Sequence, residues 1–171
     1  ATTGEGRTVW AMKISDNPEV EEDEAEVLFD GAHHAREIMA VEGVLHFMRY
    51  LCENCAGDAT VRYLVDNRQI WFVPLVNADG FVYNETTHPD GGGMWRKNRR
   101  LDPGGCYGVD PNRNYPYAWG GAGSSGSPCD ETYQGPEAGS EPEIAGLMSF
   151  INARRFVTWQ SYHSVAGMVL F

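Results

Sequence analysis

An α/β fold, with a mixed, largely parallel sheet flanked by helices, is predicted by how short apolar runs and helix-period segments alternate along this chain. Runs rich in β-branched and aromatic residues stand at Val27 to Gly31, Ile70 to Val76 and Phe156 to Tyr162. The segments between them carry apolar residues at helical spacing, and strands interleaved with helices lead to helices packed on a mostly parallel sheet. The chain has 171 residues, 42% hydrophobic and 22% charged, which suits one core and at most one domain. Residues 1–171 are therefore read as a single domain.

The elements follow in order. Thr8 to Ser15 alternates enough for a strand, and Val27 to Gly31 reads as a buried one. Glu37 to Leu51 is a helix whose stripe is Ile38, Val41, Val44, Leu45, Met48 and Leu51. Asp58 is an N-cap candidate for a second helix running to about Asn67. Ile70 to Val76 is a buried strand. From Asn77 to Ser140 the chain is mostly Gly, Pro, Asn and Ser, and so long an irregular stretch in a compact domain is normally functional. Pro142 to Ala153 is a helix, Phe156 to Tyr162 a strand, and Gly167 to Phe171 the start of another. A buried strand seldom ends a natural chain so abruptly, so the sequence reads as a fragment or one piece of a cleaved protein. It does not begin with Met and is read as a processed or excised form.

Composition excludes several classes. A net charge of −11 and a pI near 4.8 argue against nucleic acid, whose phosphates need clustered Lys and Arg. No run approaches the roughly 20 apolar residues that span a bilayer. Acids crowd between Glu19 and Glu26. Cys52, Cys55, Cys106 and Cys129 allow three full pairings, and a single Cys-x-x-Cys leaves redox or metal roles open.

The chemistry concentrates in Gly31-Ala32-His33-His34-Ala35-Arg36-Glu37, directly after a strand and opening a helix. Imidazole nitrogen and carboxylate oxygen are zinc ligands, and a catalytic zinc takes three protein ligands with one position open. His34 and Glu37 supply two, and His163, at the end of another apolar run, is the best third. Adjacent residues at a strand end point to opposite sides, so only one of His33 and His34 can face the metal. A bland alternative is that His34 packs at a strand end while Glu37 caps a helix.

The run His34-Ala35-Arg36-Glu37 resembles the first zinc motif of the metallocarboxypeptidases, the funnelin-type peptidases. Met94-Trp95-Arg96-Lys97-Asn98-Arg99, Gly108-Val109-Asp110-Pro111-Asn112-Arg113-Asn114-Tyr115 and Tyr162-His163-Ser164 resemble three further blocks of the family, in its order. Within it, the acidic insert and Ser15-Asp16-Asn17 look closest to the bacterial secreted carboxypeptidase T type. The resemblance implies zinc held by His34, Glu37 and His163, and hydrolysis of the C-terminal peptide bond of peptides and proteins. It implies Arg96 as oxyanion stabiliser, Asn112 and Arg113 as the pair binding the substrate's terminal carboxylate, Arg36 lining a further subsite, and Ser164 lining the cleft through its backbone. Lys97 and Arg100 read as a solvated basic loop, and His46 and His88 as structural or exposed.

The resemblance further implies a Cys106–Cys129 disulfide, which leaves Cys52 and Cys55 to pair locally or stay free. The compartment is then oxidising, extracellular or periplasmic, and the protein is read as secreted. Ser15, Asp16, Glu22, Glu24 and Glu26 align with calcium-ligating positions of the bacterial relatives, whereas Gln69 replaces a glutamate ligand there; a solvated acidic loop is the equal alternative. Asn84-Glu85-Thr86 is a glycosylation sequon, relevant in a eukaryotic source. Three departures stand out. Ala78 interrupts the family's Asn-Pro-Asp-Gly turn, Val165 stands where relatives often carry Tyr, and the family's general-base glutamate lies beyond position 171. Losing that base removes roughly 10²–10⁴-fold in rate, so the chain alone is expected to turn over weakly, and a missing segment or companion chain is an expected partner. The rivals are a related zinc amidohydrolase, such as an N-acyl amino acid deacylase or a cell-wall peptide carboxypeptidase, and a non-catalytic metal- or peptide-binding relative.

Overall fold

The computed structural model describes residues 1–164 and 167. The expected strand over 167–171 and the departure at Val165 lie outside the described residues. A four-stranded sheet runs in the order β1-β3-β2-β4, with β1 Met12–Ile14, β2 Ala25–Gly31, β3 Arg68–Val73 and β4 Phe156–Tyr162. β2 is central and parallel to both β3 and β4, while β1 lies antiparallel on β3. The sheet is mixed and largely parallel, as the alternation of segments predicts. The first strand is shorter than expected because Thr8 and Val9 pair instead with the N-terminal residues Thr2 and Ala1.

Side chains alternate across the pleat and fill two cores. On one face Leu28 and Val73 meet Ile144 and Leu147 of the helix α4, Pro142–Asn152. On the other, Ile70 and Phe72 meet Val44 and Leu51 of α1, Ile38–Asn54, and Val61 and Val65 of α2, Ala59–Val65. Asp58 caps α2, its carboxylate accepting from the backbone N–H of Thr60 at 2.7 Å and Val61 at 3.2 Å. The α1 stripe is narrower than its periodicity suggests: Val41, Val44 and Leu51 are buried, but Ile38 and Leu45 are exposed. β4 keeps Val157 and Trp159 exposed among the described residues.

The long irregular stretch hides a helix, α3 at Ala78–Thr87. Its buried residues are Ala78, Asp79, Gly80 and Asn84, so no apolar stripe announces it. Asn77 caps it, accepting from the N–H of Gly80 at 3.0 Å, so Ala78 in place of proline simply begins the helix. Gly80 has no room for a side chain, since a Cβ would lie 2.4 Å from the carbonyl oxygen of Lys97.

Two features shape the end of β2. A Cβ on Gly31 would meet the carbonyl oxygens of Ala40 and Pro74 at 2.9 and 3.2 Å. Ala32 then adopts φ +54° while fully buried, a left-handed conformation costing about 1–3 kcal/mol outside glycine. This sharp turn sends His33 and His34 in different directions at the carboxyl end of a parallel strand, where open α/β sheets bind ligands.

Candidate metal centre

His34, Glu37 and His163 offer donor atoms within 4.8 Å of one another. Glu37 stands at the N-cap position of α1 but makes no capping bond with its side chain. Its carboxylate turns instead to His34 Nδ1 at 2.7 Å and His163 Nδ1 at 2.8 Å, and accepts from the backbone N–H of Ser164 at 3.3 Å. The two Nδ1 atoms face each other 3.2 Å apart. Zinc bonds to nitrogen of about 2.0–2.1 Å in a tetrahedron place two nitrogens about 3.3 Å apart. Two imidazoles and a carboxylate are also the donor set of a catalytic zinc. These residues fit that ion.

Asp110 stands directly behind this cluster. It is fully buried, its Oδ1 3.4 Å from His34 Nε2 and its Oδ2 accepting from Arg96 Nε at 3.0 Å and Nη2 at 2.8 Å. Metal-binding histidines commonly direct their second nitrogen to such a carboxylate, which fixes ring orientation. Among the described residues His34 Nε2 closes no hydrogen bond, so at 3.4 Å the contact with Asp110 is electrostatic. Burial works against ionising Glu37, but its bonds to His163 and His34 prevail and hold the carboxyl down at about 2. Burial likewise opposes the Asp110 carboxylate, and the His34 and Arg96 side chains hold it below the usual range. His34 is raised, burial being outweighed by Asp110 and Glu37. His33 is lowered by burial.

The remaining residues singled out in the sequence surround this cluster. Arg96 is pinned through Nε and Nη2, leaving Nη1 without a hydrogen bond among the described residues. The Asp110 side chain caps the 3-10 turn Pro111–Arg113 that carries Asn112 and Arg113, accepting from the N–H of Asn112 at 2.9 Å. Arg113 donates from Nε to Gly123 and from Nη1 to the carbonyl of Asn112, both at 2.9 Å. Among the described residues no hydrogen bond or ion pair joins the Asn112 or Arg113 side chains to His34, Glu37 or His163. Arg36 reaches the exposed Glu131 at 3.2 Å and the carbonyl of Met94 at 3.4 Å.

The structure corrects some of the remaining expectations and agrees with others. Lys97 is not solvated: it is 4% exposed, donates to the carbonyl of Pro128 at 2.7 Å, and burial lowers its pKa. The basic spacing there hid the fold of the disulfide loop over it. Of the acidic set, Asp16, Glu22 and Glu24 approach one another. Ser15 instead accepts from the N–H of Asn17, and Glu26 is engaged by Arg154 and the N–H of Arg155. The sequon asparagine is 6% exposed and bonded at both ends of its amide to Trp95. His46 and His88 are exposed. Cys106 and Cys129 are bonded, with Cα atoms 5.2 Å apart, whereas Cys52 and Cys55 are free. Among the described residues no helix is long and apolar enough to cross a membrane.

The sequence assigned no role to Asp110 or Asn77, and to Asn84 only that of a glycosylation acceptor. Asp110 lay inside a quoted motif. Asn77, the N-cap of α3, also donates to the carbonyls of His33 at 3.0 Å and Arg96 at 3.4 Å.

Comparison with known proteins places this geometry in a family. The Zinc carboxypeptidase family profile matches residues 1–171. A metallocarboxypeptidase A-like protein of Trichophyton verrucosum is 39% identical over 165 residues, which is 92% of this chain and 37% of that protein. A zinc carboxypeptidase of Saccharothrix mutabilis subsp. capreolus is 44% identical over 119 residues, covering 70% of this chain and 27% of that one. Among solved structures, thrombin-activatable fibrinolysis inhibitor superposes with a TM-score of 0.87 at 28% identity, over 96% of this chain and 41% of that chain. Carboxypeptidase A from Helicoverpa armigera gives 0.84 at 29% identity, over 97% and 40%. The chain belongs to the zinc carboxypeptidase family, and it spans roughly two fifths or less of the length of these relatives.

Proposed function

We propose that this chain carries the zinc-binding and part of the substrate-binding apparatus of a secreted metallocarboxypeptidase that hydrolyses the C-terminal peptide bond of peptides and proteins. The observation that carries the reading is the convergence of His34, Glu37 and His163 at the carboxyl ends of β2 and β4. His34 and Glu37 enter from one turn and His163 from the neighbouring strand, and together they would hold the ion. Zinc bound there would supply Lewis acidity toward a carbonyl and a water whose pKa falls to about 7.

The other side chains have separable tasks. Arg96, aimed by its two hydrogen bonds to Asp110, keeps Nη1 for the carbonyl oxygen of the scissile bond, where negative charge develops in the transition state. Asn112 and Arg113 would bind the substrate's terminal carboxylate, the Nη2 of Arg113, without a hydrogen bond among the described residues, offering charge-assisted N–H groups to it. Arg36 pairs with an exposed carboxylate, and such surface pairs are worth about 0–1 kcal/mol, so a substrate group can displace Glu131 at little cost. Ser164 lines the cleft through its backbone, its N–H already directed at Glu37.

The test is zinc content by emission spectroscopy together with release of free amino acids from blocked dipeptides, with and without chelator. Zinc uptake with chelator-sensitive release supports the reading. Release from N-acyl amino acids alone would replace it with a deacylase, and zinc without any release would reduce it to a binding role.

A further inference from the structure

His33, the histidine that is not a ligand in this reading, has no task in the chemistry above, yet it is 1% exposed and among the largest fully buried side chains. Its Nε2 lies 2.6 Å from the hydroxyl of Tyr115. Its Nδ1 lies 3.3 Å from Ser161 Oγ and 3.6 Å from Asp30 Oδ1. Asp30 is itself fully buried and accepts from Trp159 Nε1 through its other oxygen. Trp159, Ser161 and His163 alternate along β4 and its end, so their side chains share one face. The first two are thus tied to Asp30 and His33, and the third lies over His33: the rings stack with centroids 5.6 Å apart and planes at 28°.

The need for such a support follows from the burial of the three ligands. His34 and Glu37 have side chains 5% and 9% exposed and sit on one rigid turn, whereas the His163 side chain is 31% exposed just past the end of a strand. A ligand on an exposed strand end loses rotamer freedom when it binds an ion, unless packing has already fixed its ring.

We propose that His33 is a positioning residue for the metal centre: clamped by Tyr115 and Ser161, its ring is the platform that holds the His163 imidazole in its ligating orientation. An aliphatic side chain could fill the space but could not be locked in rotation from both edges. Tyr115 follows Arg113 by two residues, so the same clamp joins the remote zinc ligand to the loop proposed to bind the substrate carboxylate. The inference rests on the metal reading above.

The experiment measures zinc affinity of the whole chain by competition with a chromophoric chelator, for wild type, His33→Ala, His33→Phe and Tyr115→Phe. Thermal unfolding of each metal-free form reports whether the fold is kept, and the visible spectrum of the cobalt-substituted forms reports ligand geometry. His33→Ala should bind zinc about 10–100-fold more weakly, as is usual when support for a ligand is removed, with an altered cobalt spectrum. His33→Phe, which retains a ring under His163, should recover part of the loss. A folded His33→Ala with wild-type affinity and spectrum overturns the inference. Should His33→Ala fail to fold, Tyr115→Phe decides: a severalfold fall supports the clamp, and unchanged affinity overturns it. A wild-type chain that takes up no zinc overturns the metal centre and this inference together, an outcome distinct from the others.

Discussion

The Nδ1 atoms of His34 and His163 face each other across 3.2 Å, although 129 residues separate them. Two imidazole nitrogens at that distance share either a proton or an ion, and Glu37 bridges both from 2.7 and 2.8 Å. An ion that binds only the folded chain stabilises it by about 4 kcal/mol at a thousandfold excess over Kd. Zinc should therefore raise the melting midpoint by roughly 2–4 °C for each kcal/mol, and chelator should reverse the rise. His163→Ala should melt near the metal-free wild type and gain nothing from added zinc. Equal zinc shifts in the two proteins, read by calorimetry, would remove His163 from the centre.

Asp110 joins three tasks in one carboxylate: it faces His34, pins Arg96 and caps the turn that carries Asn112. Removing one partner of a buried ion pair costs about 3–5 kcal/mol, because the other charge stays behind unpaired. Arg96 is 13% exposed, so Asp110→Asn should fall toward the low end of that range in denaturant unfolding. It should also weaken zinc by about 10–100-fold through the lost orientation of His34. A loss of stability with zinc affinity intact would confine Asp110 to the turn and the ion pair.

How much of this was legible in the sequence depended on the range of the signal. Strands and helices with an apolar face announce themselves, and β4 was read to the residue because Phe156 to Tyr162 is bounded by polar neighbours. The His34–Glu37 pair was legible because a strand end followed by a helix brings those two side chains together locally. Asp110 was not, since nothing in a Pro-Asn-Arg-Asn turn says that the preceding aspartate reaches back to Arg96. Helix α3 escaped because its buried face is made of Ala78, Asp79, Gly80 and Asn84, whose hydrogen bonds replace hydrophobic burial. Lys97 misled for the opposite reason. Its flanking arginines suggest water, but the loop closed by Cys106–Cys129 lays the Pro128 carbonyl over its amine.

Asn84 shows how a motif can be overruled by packing. Its amide donates to the carbonyl of Trp95 and accepts from the N–H of Trp95, both at 2.9 Å, and so fixes the residue before Arg96. A glycan needs that same nitrogen in solvent. Secreted from a glycosylating eukaryotic host, the chain should keep Asn84 unmodified, as seen in the mass of its proteolytic peptide. Asn84→Ala should destabilise by about 1–3 kcal/mol for each backbone group left unpaired. Asn84→Asp, which keeps the acceptor and loses the donor, should fall between. A glycan on most molecules would show that this segment opens before folding is complete.

Glu143 gives the fold a pH dependence that does not involve the candidate metal ligands. It is 1% exposed in the first turn of α4, where one side-chain amide, that of Asn98, donates to Glu141 at 2.6 Å and to Glu143 at 2.7 Å. Arg100 pairs with Glu141, but the second oxygen of Glu143 has no hydrogen-bond partner among the described residues. Burial, with the charge of Glu141 adding and the Asn98 bond opposing, pushes the Glu143 carboxyl up from 4.5 to about 7. Between those values the folded chain holds a proton that the unfolded chain releases, so stability falls as pH rises through that window. The contribution is complete below 4.5 and gone above about 7. Glu143→Gln is neutral at every pH and accepts the same bond from Asn98. Its midpoint should match wild type near about pH 4 and exceed it near about pH 8, by roughly 2–4 °C for each kcal/mol. Parallel curves for the two proteins across that range, in thermal unfolding of the metal-free forms, would show that Glu143 ionises freely in the folded chain.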